Sequence, residues 1–82
     1  MLTYAVKLAS RYDGLVIATF PDVPAAIAYG RDHEEAIEQA EGALEAALIR
    51  YMRAGHELPI PRAQSPLTVT AKLVEQPVQL RH

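Results

Sequence analysis

Histidine is the side chain in this 82-residue chain that most readily serves as a metal ligand or as a general base at neutral pH. The three histidines are His33, His56 and His82, and no two of them stand four residues apart, the spacing that puts two ligands on one helical face. Cysteine is absent, which excludes a thiolate metal site, a thiol nucleophile and a disulfide. The sequence therefore predicts no metal and no cofactor.

The acidic residues are more numerous, but their positions favour structural roles. Asp13, Asp22 and Asp32 stand in predicted turns or at a predicted helix start, where a carboxylate accepts backbone hydrogen bonds. The glutamates of the central segment have the pattern of a solvated helix face: Glu34, Glu35, Glu38, Glu41 and Glu45. A two-metal hydrolytic site needs acids that converge from a sheet, and the predicted strands carry none in their middle.

Nucleophilic and nucleotide chemistry have no motif in this chain. Ser10 and Ser65 lie in predicted turns without a G-x-S-x-G context, and no G-x-G-x-x-G or Walker-type loop is present. We therefore predict that the protein is not an enzyme.

Nucleic-acid binding is disfavoured by charge. The net charge is -2 and the arginines are scattered, whereas a phosphate backbone is bound by clustered basic residues. Tyr4, Tyr12 and Tyr29 could stack on bases, although tyrosines on a small sheet more often serve a core or a protein interface. Two alternatives stay open: a stand-alone module that binds a small molecule or RNA, and a small metal-dependent ribonuclease that would use Asp22 or Asp32.

The first third of the chain predicts three antiparallel strands. Residues 2–8 alternate apolar and polar as one half-buried strand, Asp13 and Gly14 form a hairpin turn, and residues 15–20 are rich in β-branched side chains. Pro21 and Pro24 end the second strand, and residues 26–29 return as the third.

A long amphipathic helix is predicted over residues 32–54. Asp32 is the expected N-cap, with Glu35 three residues later as in a capping box, and Gly55 suits the left-handed position after the helix end. The predicted core face recurs at three- and four-residue spacing: Ala36, Ile37, Ala40, Ala43, Leu44, Ala47, Leu48, Tyr51 and Met52.

The rest of the chain predicts an extended loop and a fourth strand. Residues 56–66 contain three prolines and are expected to return across the sheet, and residues 67–74 alternate as a strand. The expected fold is α+β, a single small antiparallel sheet in the order β-β-β-α-β with one long helix on one face. We expect a domain over residues 1–76 and a tail over 77–82, in a soluble, cytoplasmic protein without a membrane segment that forms a homodimer through exposed sheet edges.

Several separated motifs together resemble the HicB antitoxin family. They are F-P-D-V-P at 20–24, G-R-D at 30–32, E-E-A-I at 34–37, then Ala40, Gly55 and L-P-I-P at 58–61. The resemblance implies a partial ribonuclease H-like fold without catalytic acids. It also implies neutralisation of a HicA toxin, a small ribonuclease that cleaves mRNA, by covering the region of its active site.

Many members of that family carry a C-terminal DNA-binding module that represses their own promoter, and no such module is expected within this chain, which ends at His82. From the resemblance and the charge pattern we predict toxin contacts at Asp22, Tyr29, Asp32, Glu34 and Glu38. The four acids among them would meet lysines and arginines of the toxin and speed association by electrostatic steering.

Overall fold

The computed structural model of the protein describes residues 2–72. The elements in chain order are β1 (Leu2–Ala5), β2 (Lys7–Ser10), β3 (Val16–Thr19), β4 (Ile27–Gly30), α1 (His33–Arg53) and β5 (Thr68–Ala71). The class is α+β with antiparallel pairing throughout, as predicted. Instead of one sheet, however, the strands form a two-stranded sheet, β1-β5, and a three-stranded sheet, β2-β3-β4.

The predicted first strand is wrong in its continuity, since it is interrupted at Val6. The backbone N–H of Val6 donates to the carbonyl of Leu67 at 3.1 Å, and the Ser65 hydroxyl donates to the Val6 carbonyl at 3.1 Å. The alternation of buried and exposed residues also fails here. Ala5, which was predicted on the polar face, is only 3% exposed. The interruption is where the chain leaves the ladder with β5 and joins the ladder with β3.

The two turns of the three-stranded sheet follow the predicted turn chemistry. Gly14 adopts a φ of +91° between β2 and β3, and the Asp13 carboxylate accepts the Leu15 amide at 3.1 Å. Between β3 and β4, Val23 N–H donates to Phe20 O at 3.0 Å and Ala26 N–H donates to Val23 O at 2.9 Å. The bounds of β3 and β4 differ from the predicted ones by one residue at each end, and β2 extends two residues beyond the predicted end of the first strand.

The helix closes one side of the sheets over a core of small and branched side chains. Its fully buried residues are Ala36, Ala40, Leu44, Ala47 and Leu48. Gly30 permits the close approach of β4, because a Cβ there would overlap the backbone nitrogen of Ala36 and lie 2.7 Å from its Cα. The predicted bounds are confirmed within a residue, and Gly55 is left-handed at φ +77°. Met52, predicted in the core, is instead 47% exposed.

The proline-rich loop of residues 56–66 is anchored to the sheets by side chains. The Tyr4 hydroxyl donates to the Pro59 carbonyl at 2.6 Å, and the Asp22 carboxylate accepts two loop amides. The predicted fourth strand begins at Thr68, and its residues beyond 72 lie outside the described residues, as do the predicted domain boundary, the tail and His82. Among residues 2–72, no helix combines the length and apolarity needed to cross a membrane.

Candidate protein-binding surfaces

Two of the five predicted contact residues hold the fold together. Asp22 uses Oδ2 to accept the backbone amides of Arg62 at 2.9 Å and Ala63 at 2.8 Å. Asp32 caps α1 by accepting the amide of Glu35 at 2.8 Å. In each residue one carboxylate oxygen is already engaged by backbone amides, so each acid has a structural role that does not require a metal ion.

The helix start differs from a capping box in one respect. Glu35 does not reach back to the amide of Asp32 but one residue further, to the amide of Arg31 at 2.7 Å. The same carboxylate forms a two-point ion pair with the Arg31 guanidinium, at 3.2 Å to Nε and 3.0 Å to Nη2. These hydrogen bonds lower the pKa of Glu35, and the carboxylate in turn raises the pKa of Arg31.

One flank of α1 carries a row of acids, here termed the acidic stripe: Glu34, Glu38 and Glu41, which are exposed, and Glu45, which is half-buried. Their spacing of four, three and four residues keeps them on one side of the helix. Glu45, at the far end, accepts the Lys72 amide at 3.2 Å, so the stripe borders the end of β5. The structure thus groups Glu34 and Glu38 with each other but not with Asp22 or Tyr29.

Tyr29 lies on a different surface, the outer face of the three-stranded sheet, turned away from the helix. It is 48% exposed, and its neighbour on that face, Ile27, is 49% exposed, while Ala28 and Gly30 between and beyond them are buried. The guanidinium of Arg11 lies 6.0 Å from the centre of the Tyr29 ring. Two large apolar side chains therefore stand in solvent on a strand of four residues.

Beside that strand a shallow open groove of about 460 Å³ runs between β4 and α1. It is lined by Ile27, Ala28, Tyr29, Gln39, Gly42 and Ala43. The lining offers one amide and one phenol and no ionisable acid or base suited to catalysis, so the groove suits contact with another chain better than chemistry. Sequence reasoning missed Ile27 and this groove, although the alternation of residues 27–30 was a usable signal.

The histidines described by the structure do not form a site. His33 opens the helix and His56 lies in the following loop, both exposed. Within residues 2–72, no three side chains among His, Asp and Glu are grouped so that they could hold a metal ion.

Comparison with known proteins gives concordant results. Residues 3–81 match the family model described as a HicB-like antitoxin of bacterial toxin–antitoxin systems. The chain is 32% identical over 79 residues to Antitoxin HicB 1 of Photorhabdus laumondii, with 89% of this chain and 51% of that protein covered. The chain thus spans about half the length of that relative.

A solved structure shares the fold. The N-terminal domain of the antitoxin HicB from Burkholderia pseudomallei superposes with a TM-score of 0.73, covering 88% of this chain and all of that domain. Sequence identity there is 14%, so this likeness concerns the fold alone. The predicted relation to ribonuclease H is not tested by it and stays a prediction.

Proposed function

The chain belongs to the HicB-like antitoxin family of bacterial toxin–antitoxin systems, and from that premise we propose that it binds and neutralises a HicA-type, mRNA-cleaving ribonuclease toxin. The match of the family model over residues 3–81 is the observation that carries the proposal. Neutralisation would be steric: a rigid domain covers the region of the toxin's active site. No reaction is assigned to the antitoxin itself.

The acidic stripe supports this function on physical grounds. A ribonuclease that grips mRNA needs a basic surface for the phosphate backbone. Glu34, Glu38 and Glu41 present three carboxylates on a helix of 21 residues, and within residues 2–72 no ion pair engages them. A fixed row of negative charge complements such a surface and accelerates encounter with it.

The five predicted contact residues fall into two groups, direct contacts with the toxin and residues that hold the fold beside them. Glu34 and Glu38 are proposed as charged contacts, and Tyr29 as an apolar contact on the outer sheet face. Asp22 and Asp32 would act near the interface chiefly by holding the loop and the helix start, since their carboxylates are already engaged with backbone amides.

Repression of a promoter, which the family resemblance implies for longer relatives, is proposed for a C-terminal module of those relatives. Along the described residues the lysines and arginines are spread over several elements and loops rather than concentrated in one segment, as DNA-binding segments usually are. A cytoplasmic location is proposed because the substrate of the toxin is mRNA.

The test is an RNA-cleavage assay with a purified HicA-type toxin. We expect the chain to abolish cleavage at a stoichiometric ratio, and we expect Glu38→Lys to require a clear molar excess. Glu57→Lys is the matched control, since it makes the same charge change in the exposed loop after the helix. Full cleavage at any ratio, with both proteins folded, would refute the antitoxin function for this chain.

A further inference from the structure

The acidic stripe ends beside two exposed apolar side chains. Ile49 follows Glu45 by four residues and Met52 follows Ile49 by three, so both continue the row along the same flank of α1. Ile49 is 36% exposed, and Met52, which the periodicity predicts in the core, is 47% exposed. From Glu34 to Met52 the row is about 27 Å long at the rise of an α-helix.

These two side chains have the properties of an interface anchor. Single exposed apolar residues are common on soluble proteins, but here two neighbours stand together at the end of a charged row. Isoleucine keeps one preferred side-chain rotamer in a helix, whereas methionine is flexible and adapts to the surface of a partner. Protein interfaces typically combine such an apolar centre with a charged rim, which is the arrangement along this flank.

We propose that Ile49 and Met52 form the apolar anchor of the toxin interface and hold the toxin in place once the acidic stripe has drawn it to this flank. The inference rests on the proposed antitoxin function and adds to it the residues that keep the complex together. The toxin surface that fits is a row of lysines or arginines that ends at an apolar depression. The carboxylates then govern the rate of association, and the two apolar side chains govern the rate of dissociation.

Charge disfavours other occupants of this flank. RNA would be repelled by Glu34, Glu38 and Glu41, which no ion pair engages within residues 2–72. A second copy of the chain, placed against the same flank by a two-fold axis, would bring carboxylates against carboxylates, which is costly in an interface. A basic protein with an apolar patch matches both parts of the row.

The test is the dissociation rate of the complex between the full chain and a purified HicA-type toxin, measured by surface plasmon resonance. We expect Met52→Ala to raise this rate about tenfold and the double variant Ile49→Ala/Met52→Ala to raise it further, with association changed by less than about twofold. Glu38→Lys should show the opposite pattern, slower association with a smaller change in dissociation. Ile60→Ala is the matched control, because it truncates an apolar side chain that is 62% exposed in the loop after α1, and its complex should dissociate like the native one.

The anchor variants should remain folded. Alanine has a higher helix propensity than isoleucine or methionine, and neither side chain belongs to the buried core. Circular dichroism and thermal unfolding of the free chain would establish this. If Met52→Ala lowered the unfolding temperature as much as truncation of the buried Leu48 does, Met52 would be packed within the chain itself and the anchor role would be wrong.

A second measurement uses the two methionines of the chain, Met1 and Met52. When the methionine methyl groups are isotope-labelled for NMR, the signal that is missing in Met52→Ala identifies Met52. We expect the toxin to shift this signal and to shield it from a soluble paramagnetic probe. A methyl group that stays as accessible in the complex as in the free chain would overturn the proposal.

The outcomes separate this inference from the antitoxin function. If the native chain neither binds the toxin nor stops RNA cleavage, the antitoxin function fails and the anchor fails with it. If the native chain neutralises the toxin and the double variant dissociates as slowly as the native chain, the function stands and the anchor lies elsewhere. Faster dissociation for Ile60→Ala than for Met52→Ala would place the anchor in the proline-rich loop.

Discussion

The carboxylate of Asp22 accepts the backbone amide of Ala63 at 2.8 Å, a contact across 41 residues of chain. The same Oδ2 atom accepts the amide of Arg62 at 2.9 Å. One side chain in the turn between β3 and β4 thus fastens the proline-rich loop that returns the chain to β5. An aspartate in the segment F-P-D-V-P is thereby explained by folding.

We expect Asp22→Ala to lower the free energy of unfolding by about 1–3 kcal/mol, because two amides lose a charged acceptor. Chemical denaturation measures it. Glu38→Ala, which removes an exposed helix carboxylate, should change stability by less than about 0.5 kcal/mol. Equal effects of the two substitutions would contradict the anchoring role of Asp22.

We expect Gly30→Ala to destabilise the protein by about 1–3 kcal/mol, because the added Cβ would collide with the backbone of Ala36 at the helix start. Thermal unfolding measures the change. Gly42→Ala is the matched control, and we expect it to stabilise the protein by up to about 1 kcal/mol because its added Cβ meets no other atom. If Gly30→Ala left the stability unchanged, β4 and α1 would be able to move apart at little cost in free energy.

The Arg31–Glu35 contact makes the free energy of unfolding decrease at acidic pH. Since hydrogen bonds from Arg31 lower the pKa of Glu35 in the folded state, this contribution is complete above the unfolded pKa, about 4.3 for glutamate, and is lost as pH falls through the lower folded value. As pH is lowered from 6 to 2, the denaturation midpoint should therefore fall less steeply for Glu35→Gln than for the native chain. Glu38→Gln, one turn further along the helix, should keep the native slope.

The buried hydroxyl of Tyr4 makes the free energy of unfolding decrease at alkaline pH. Burial first, and then the charge of Asp22, raise the pKa of its hydroxyl, so the folded state stays protonated where the unfolded chain ionises. Stability is complete below the unfolded pKa of about 10 and declines as pH rises above it. Tyr4→Phe should cost about 1 kcal/mol at pH 7 through loss of the bond to Pro59 and should flatten the alkaline decline.

The fully exposed Tyr12 provides the comparison for this alkaline effect. Tyr12→Phe should leave both the neutral stability and the alkaline slope unchanged. If the two variants behave alike, the buried hydroxyl is not the group responsible.

Electrostatic steering by the acidic stripe should appear in association kinetics. Stopped-flow rates with a HicA-type toxin are expected to fall as salt rises, and Glu38→Lys should slow association about tenfold at low ionic strength. Glu57→Lys should have a smaller effect, since it lies outside the stripe. Rates that do not vary with salt would exclude steering, although not binding.

Local patterns were sufficient for the elements with strong sequence signals. Asp32, Gly55 and the periodic alanines and leucines predicted the helix to within a residue, because caps and a period of 3.6 act over neighbouring residues. Asp13 and Gly14 predicted the hairpin for the same reason. Family membership was also recoverable, since it depends on motifs that can be read along the chain.

Tertiary contacts decided what those patterns could not. Residues 2–8 alternate as one strand, yet Ser65 and Leu67 return to Val6 and divide it, a contact about 60 residues away that no local period encodes. The same holds for Asp22, whose two amide partners come from a distant loop. The separation of the acidic stripe from Tyr29 is likewise a product of packing, because the burial of β4 against α1 determines which sides of both elements remain in solvent.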